Sequence, residues 1–338
     1  MDPGREGGEL GPRRGCRACG RIAIARGGTV SCLLGACTSR TTALPAPLAT
    51  RLLLILLWLV RWLPLPWQAV LGWGLGVLLF RVAKSRRKVA LRNIALTHPQ
   101  WTAEQCEQLA REHFGWLGRS LLERGLLWYS SRKRLLKLIH VEGDVKLAER
   151  SPRPVMWLVP HFVALDVAGV ACQLHIDVKG GSIYQTQTNR VFDAAMRKAR
   201  LRFGKTILFP RSESAKPIIR AIRQGYCFFN LPDMDFGLRD AAFVPFFGIP
   251  VATLLAPSRM ARALDMVVQP IVAEILPGSQ GYKVRFLDPL PDFPTDDPVA
   301  DATRMNAWIE QEIARNPAQY LWVHRRFKTR PDGDKSLY

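Results

Sequence analysis

Acidic residues are scarce in this chain. Its 28 Asp and Glu face 48 Lys and Arg, a formal charge of +20. That imbalance calls for an anionic partner, either nucleic acid or an acidic membrane surface. No RNP, zinc-finger or helix-turn-helix pattern is present. Ten tryptophans and 48% hydrophobic residues are heavy for a nucleic-acid module, which leaves the membrane as the better partner. Seven cysteines are too few and too scattered for a disulfide framework. Cys106, Cys172 and Cys227 fall in apolar periodic segments and read as small core residues, and free thiols suit a reduced cytosolic setting. Cys16, Cys19, Cys32 and Cys37 have loose zinc-ribbon spacing. Their Gly-, Arg-, Ser- and Thr-rich surroundings have no strand pattern to hold a knuckle, so neither metal nor cofactor is expected. Internal repeats are absent.

Also missing is an uncharged apolar run of the roughly 20 residues that a membrane span needs. Leu52–Val60 is bracketed by Arg51 and Arg61, and Ala69–Phe80 is broken by Gly72, Gly74 and Gly76. The stretch from Leu44 to Leu63 is long enough if Arg51 and Arg61 snorkel to the headgroups. Trp58, Trp62, Trp67 and Trp73 suit an interfacial belt. No small-residue cleavage site follows, so the expectation is a retained anchor over 44–80, spanning the bilayer or lying in its interface. Residues 1–43 lack periodicity and read as a disordered leader or an over-long start. Arg81, Lys84, Arg86, Arg87, Lys88 and Arg92 follow the anchor and open a basic, helical connecting region over 81–140. Such a cluster faces the cytoplasm and anionic headgroups.

Within that region Thr102-Ala-Glu-Gln105 is a capping box. It opens a helix with Leu109, Phe114, Leu117, Leu121 and Leu126 at helical spacing. From Val141 to the end at 338, strands and helices alternate. Strands are expected at 155–159, 206–209, 227–231, 266–275 and 282–287, and helices at about 163–174, 191–202, 214–224 and 299–315. The alternation predicts an α/β domain in which helices flank a mixed sheet. Its active site belongs in the loops at the carboxyl ends of the strands.

One such loop carries the most informative residues. After the strand Val155–Val159 come Pro160 and His161, with Asp166 five residues on. A histidine with a carboxylate is a general base with its orienting partner. The pairing works if His161 sits on the loop and Asp166, one turn inside the helix, reaches back; a chance H-x4-D is the bland alternative. No Ser or Cys near His161 forms a nucleophile elbow, which favours direct transfer over a covalent intermediate. Further blocks are the basic helix ending in Arg200 and Arg202, the turn Pro232-Asp233-Met234-Asp235-Phe236-Gly237, the apolar loop Phe243–Thr253, and the ending Gln319-Tyr-Leu-Trp-Val-His-Arg-Arg-Phe-Lys-Thr-Arg-Pro331. Arg200, Arg202, Arg325 and Arg326 are candidate donors to phosphate or a developing oxyanion, each equally readable as half of a structural ion pair. Asp233 and Asp235 either orient those arginines or cap a turn. His324 either meets phosphate or packs.

Taken together, these motifs resemble the late acyltransferases of lipid A biosynthesis, the lauroyl- and myristoyl-transferring group of the H-x4-D/E acyltransferase superfamily. The resemblance covers roughly Leu44 to Tyr338, with the ending and the P-D-x-D-x-G turn its most specific parts. Asp166 stands where several members have glutamate, and Ala318 where glutamate is common. The resemblance implies a glycerolipid-acyltransferase-like fold and an inner-membrane enzyme with its catalytic domain on the cytoplasmic side. It further implies transfer of a fatty acyl chain from acyl carrier protein to an acyl-chain hydroxyl of a phosphorylated, Kdo-bearing lipid A precursor. Two alternatives stand beside it: an H-x4-D acyltransferase acting on a lysophospholipid, glycolipid or ornithine lipid, and a non-catalytic lipid-binding protein.

Overall fold

The computed structural model describes residues 46–213, 215–332 and 334–338. The cysteine pattern of the leader and the reading of 1–43 lie outside the described residues.

Two apolar helices come first, α1 (Ala46–Val60) and α2 (Leu65–Val82), with Pro64 as the N-cap of the second. Proline cannot supply an interior helical N–H, so α2 starts afresh at Pro64 as a helix separate from α1. Basic α3 (Lys84–Thr97) follows, then α4 (Ala103–Leu122). Both halves of the capping box form: Gln105 N donates to Thr102 Oγ1 at 3.3 Å, and Thr102 N to Gln105 Oε1 at 2.8 Å. Short α5 (Arg124–Tyr129) and α6 (Arg132–Leu138) lead to β1 (Ile139–Gly143), and α7 (Leu147–Arg150) to β2 (Val155–Leu158).

The α/β alternation then runs as α8 (Leu165–His175), β3 (Gly180–Tyr184), α9 (Arg190–Leu201), β4 (Thr206–Pro210), α10 (Lys216–Arg223) and β5 (Cys227–Asn230). The segment read from sequence as an apolar loop is instead a hairpin, β6 (Ala241–Phe246) and β7 (Ile249–Leu254). Phe247 and Gly248 turn it, with φ of 50° and 74°. A two-residue turn with both φ positive matches strand twist, and only the second position is glycine, so the sequence signal is half-present. After α11 (Ala256–Ala263) come β8 (Val267–Ile275), β9 (Tyr282–Phe286) and α12 (Pro298–Arg315).

Seven strands form one sheet in the order β1-β9-β8-β2-β5-β3-β4. β8, β2, β5, β3 and β4 run parallel, and β9 is antiparallel to β8, so the sheet is mixed and parallel-rich as expected. Both faces are covered. Val155, Trp157 and Val159 pack into one core with α8, while Met156 and Leu158 pack on the other side with α4 and α12. A doubly covered parallel strand has no solvent face, which is why 155–159 reads as an unbroken apolar run.

Burial pushes two histidines down to about 4 each: His113, whose Nδ1 donates to Ala318 O at 3.1 Å, and His324. Each binds a proton more readily unfolded than folded between about pH 4 and 6.5. Stability should therefore climb with pH across that window and level off above it, by up to about 3 kcal/mol per imidazole. Denaturant melts at pH 5 and pH 7.5 test this. His113→Phe should lose part of the pH dependence whatever it does to absolute stability; an unchanged dependence would show that His113 does not contribute.

Candidate active site

Adjacent strands bring the site together. β2 and β5 are parallel neighbours, with Leu158 beside Asn230, so the loops that leave their carboxyl ends emerge side by side. Val159 N donates to Asn230 O at 2.9 Å, continuing the ladder to the loop mouth. One loop carries His161 and the other Asp233. His161 Nδ1 donates to Asp233 Oδ1 at 2.6 Å, and His161 N to Asp233 Oδ2 at 2.9 Å. The Asp233 side chain is completely buried, whereas that of His161 keeps 12% of its surface exposed. Burial alone would raise the Asp233 carboxyl. The His161 charge and hydrogen bonds, with the charge of Arg326, outweigh it and hold the group below the ordinary carboxylate range. An ionised carboxylate only accepts, so the proton sits on Nδ1 and Nε2 is left as the basic nitrogen.

This corrects the expected partnership. His161 is on the strand-to-helix loop and Asp166 is in the first turn of α8, as the spacing predicts. Asp166, however, turns to two arginines: Arg200 Nη2 at 2.8 Å and Arg124 Nε at 3.5 Å. Burial raises its carboxyl, and the charges of Arg200 and Arg124, the Arg200 hydrogen bond and the charge of His161 together bring it below the ordinary range. Asp166 thus anchors a cationic cluster beside the imidazole, and Asp233 does the orienting. Arg124 has no signal in the sequence, since it joins the site from a helix 37 positions before His161.

The chain's ending clasps the histidine loop. Val163 N donates to Gln319 O at 2.8 Å and Leu321 N to His161 O at 2.9 Å, bracketing a bridge between Phe162 and Tyr320. Burial pushes the Tyr320 phenol well up, and the charge of Asp233 and a hydrogen bond to it push the same way, so Tyr320 is a third donor to that carboxylate.

Arg326 is 2% exposed and does not face a substrate: Nη1 donates to Ala252 O and Nη2 to Thr253 Oγ1, both at 2.8 Å. It locks the β6–β7 hairpin and places a charge behind Asp233. Arg202 is likewise spent on backbone, donating to Leu127 O at 2.8 Å and to Ser130 O, which ties α9 to α5. Asp235 organises a turn, accepting from Thr329 N and Thr329 Oγ1 at 2.7 Å and from Gly237 N at 2.9 Å. His324 packs, its Nε2 accepting from Asp235 N at 3.3 Å. Arg325 is exposed, with its guanidinium 5.7 Å from the Tyr338 ring. Of the four arginines singled out in the sequence, Arg200 alone joins the His161 cluster.

Residues 39–329 match the family described as bacterial lipid A biosynthesis acyltransferase. The chain belongs to that family. It is therefore an acyltransferase of lipid A biosynthesis. It is 33% identical to the lipid A biosynthesis palmitoleoyltransferase of Escherichia coli over 285 residues, 83% of this chain and 92% of that protein. It is 32% identical to the lauroyltransferase of the same organism over the same shares, and 29% identical to its myristoyltransferase over 78% of this chain and 82% of that protein. Those three names differ in the acyl chain transferred, so family membership leaves acyl length open. The acyltransferase is also similar to the solved 1-acyl-sn-glycerophosphate acyltransferase of Thermotoga maritima, with a TM-score of 0.32 and 11% identity over 68% of this chain and 94% of that one.

Proposed function

We propose that this acyltransferase moves a fatty acyl group from the thioester of acyl carrier protein to a hydroxyl on an acyl chain of a phosphorylated, Kdo-bearing lipid A precursor. The observation that carries the reading is the His161–Asp233 pair at the carboxyl edge of the sheet, with Nδ1 engaged and Nε2 free. Nε2 takes the acceptor hydroxyl's proton as that oxygen attacks the thioester carbon. The carbon–oxygen bond forms, the carbon–sulfur bond breaks, and the proton passes from imidazolium to the departing thiolate. Asp233 fixes the tautomer and stabilises the charged ring. Arg200 and Arg124, held by Asp166, provide cationic donors for the oxyanion or a substrate phosphate. Beside Asp166, Ser120, Glu123, Leu127, Val163, Val167 and Tyr282 line a narrow crevice next to this cluster.

The enzyme works at the inner membrane with its catalytic part on the cytoplasmic side. Support comes from the exposed apolar faces of α1 and α2 and from the basic run Arg81–Arg92 directly behind them. The test is turnover by purified protein with acyl carrier proteins of several acyl lengths and a tetra-acylated bisphosphorylated acceptor, with and without Kdo, read by mass spectrometry. One added acyl group at a secondary hydroxyl is expected. Faster transfer to a lysophospholipid would overturn the acceptor assignment, and transfer from acyl-coenzyme A alone the donor assignment.

The arginines divide into two classes by the same assay. Arg200→Lys should lose activity on the bisphosphorylated acceptor with little loss of stability, because lysine cannot reproduce a two-point contact. If Arg200 meets phosphate, variant and wild type converge on acceptor lacking one phosphate; if it meets the oxyanion, losses run parallel on both acceptors. Arg326→Met should act on the fold, costing about 1–3 kcal/mol in denaturant melts, since it leaves the Ala252 carbonyl and the Thr253 hydroxyl without their buried donor.

A further inference from the structure

We propose that α1 and α2 lie in the plane of a single anionic leaflet, with their outward faces among the lipid tails, and that neither helix crosses the bilayer. The proposal rests on the membrane-facing reading above and deepens it. By length and composition Leu65–Val82 is long and apolar enough to cross a membrane. Its packing argues against crossing. Leu65, Gln68, Ala69, Gly72, Gly76 and Phe80 form one buried stripe along the whole helix. That stripe runs antiparallel on α4 with no room to spare. A Cβ added at Gly72 would come within 2.7 Å of Arg119 Cα, and one at Gly76 would run into the Phe114 carbonyl. Phe80 and Phe114 meet edge-on with centroids 5.4 Å apart.

α4 in turn cannot leave the catalytic domain. Ser120 Oγ donates to Val163 O at 2.6 Å, two residues from His161, and His113 Nδ1 donates to Ala318 O at 3.1 Å. A spanning α2 would therefore pull α4 into hydrocarbon. The exposed Arg111 and Glu112, the buried Arg119–Glu123 pair and the active-site loop would go with it. Charges at that depth are costly enough to forbid the arrangement.

α1 repeats the pattern. Thr50, Leu54, Leu57 and Val60 point inward at helical spacing; an added Cβ at Gly125 would strike the Leu57 carbonyl, and Asn189 Nδ2 donates to Thr50 Oγ1 at 2.6 Å. At 15 residues α1 is about 22 Å long, short of a hydrocarbon core of about 30 Å.

The outward faces are another matter. Of the 20 exposed large hydrophobic residues among those described, 15 fall between Leu48 and Val82. So dense an apolar surface needs an apolar cover. Charge names which cover. Arg51, Arg61, Arg81, Lys84, Arg86, Arg87 and Lys88 border these faces, and none has a carboxylate partner among the described residues. A basic rim around an apolar face is the pattern of an interfacial helix on anionic lipid. Leu57 of α1 rests on Gly125, next to the Arg124 that touches Asp166. Acceptor lipid in that leaflet thus reaches the cationic side of the site without leaving the membrane.

The test is depth. Cysteines introduced one at a time on the outward faces, Leu52→Cys and Leu59→Cys on α1 and Val70→Cys and Val77→Cys on α2, carry a bimane probe. The background is the full chain with Cys16, Cys19, Cys32 and Cys37 replaced by serine, in vesicles of phosphatidylethanolamine and phosphatidylglycerol. Quenching by lipids brominated at different positions along the acyl chain reads each probe's depth. In-plane helices give equal depths within each pair, all in one leaflet. A spanning α2 would separate Val70 from Val77 by about 10 Å along the bilayer normal, and that result overturns the proposal. Absence of quenching at all four positions overturns it too. No readout involves turnover, so failed acyl transfer with the depth pattern intact would sink only the functional reading.

Discussion

Replacing His161 by alanine is expected to lower acyl transfer by about two to four orders of magnitude, the usual contribution of a positioned general base. The effect should fall on turnover, with melting and vesicle binding close to wild type. The fold tolerates the change because Asp233 keeps two other donors, the backbone N–H of residue 161 and the Tyr320 phenol. The ring is also 12% exposed, and its removal opens no sealed cavity. The measurement is single-turnover transfer from acyl carrier protein at saturating acceptor. Near wild-type rates would end the general-base reading and leave the arginine cluster as the seat of catalysis.

Asp233→Asn should be as damaging, of the order of 10³–10⁴-fold in turnover, because an amide neither stabilises imidazolium nor enforces the Nδ1–H tautomer. It separates the two carboxylates of the site. Asp166→Asn leaves the His161–Asp233 bond intact and instead loosens Arg124 and Arg200, so its loss should be smaller, about 10- to 100-fold, and should include a higher acceptor KM. A larger loss in Asp166→Asn than in Asp233→Asn would restore Asp166 as the orienting acid and show that the observed hydrogen bond is not the working one.

What the sequence determined by itself was local. Strand 155–159 was legible because a strand buried on both faces is apolar without interruption, and Pro160 marked where it stops. The capping box at Thr102 and the helix over about 299–315 were legible because their signals lie within a few helical turns. His161 was found because a polar residue directly after such a strand stands at the edge where α/β sheets place their chemistry.

Partnership was another matter. His161 and Asp166 are five positions apart, but α8 carries Asp166 round toward α9 and α5, where Arg200 and Arg124 wait. Asp233 is 72 positions from His161, and only the pairing of β2 with β5 brings it within 2.6 Å. The same holds for the arginines. Arg200, Arg202, Arg325 and Arg326 look alike in sequence, and packing alone sends one to a carboxylate at the site, two to backbone carbonyls and one to solvent. Hydrophobic pattern and turn chemistry act over a few residues and can be read along the chain. Which charged group meets which is decided by strand order and helix crossing, because a charge is stabilised by whatever the fold places within a few ångströms of it.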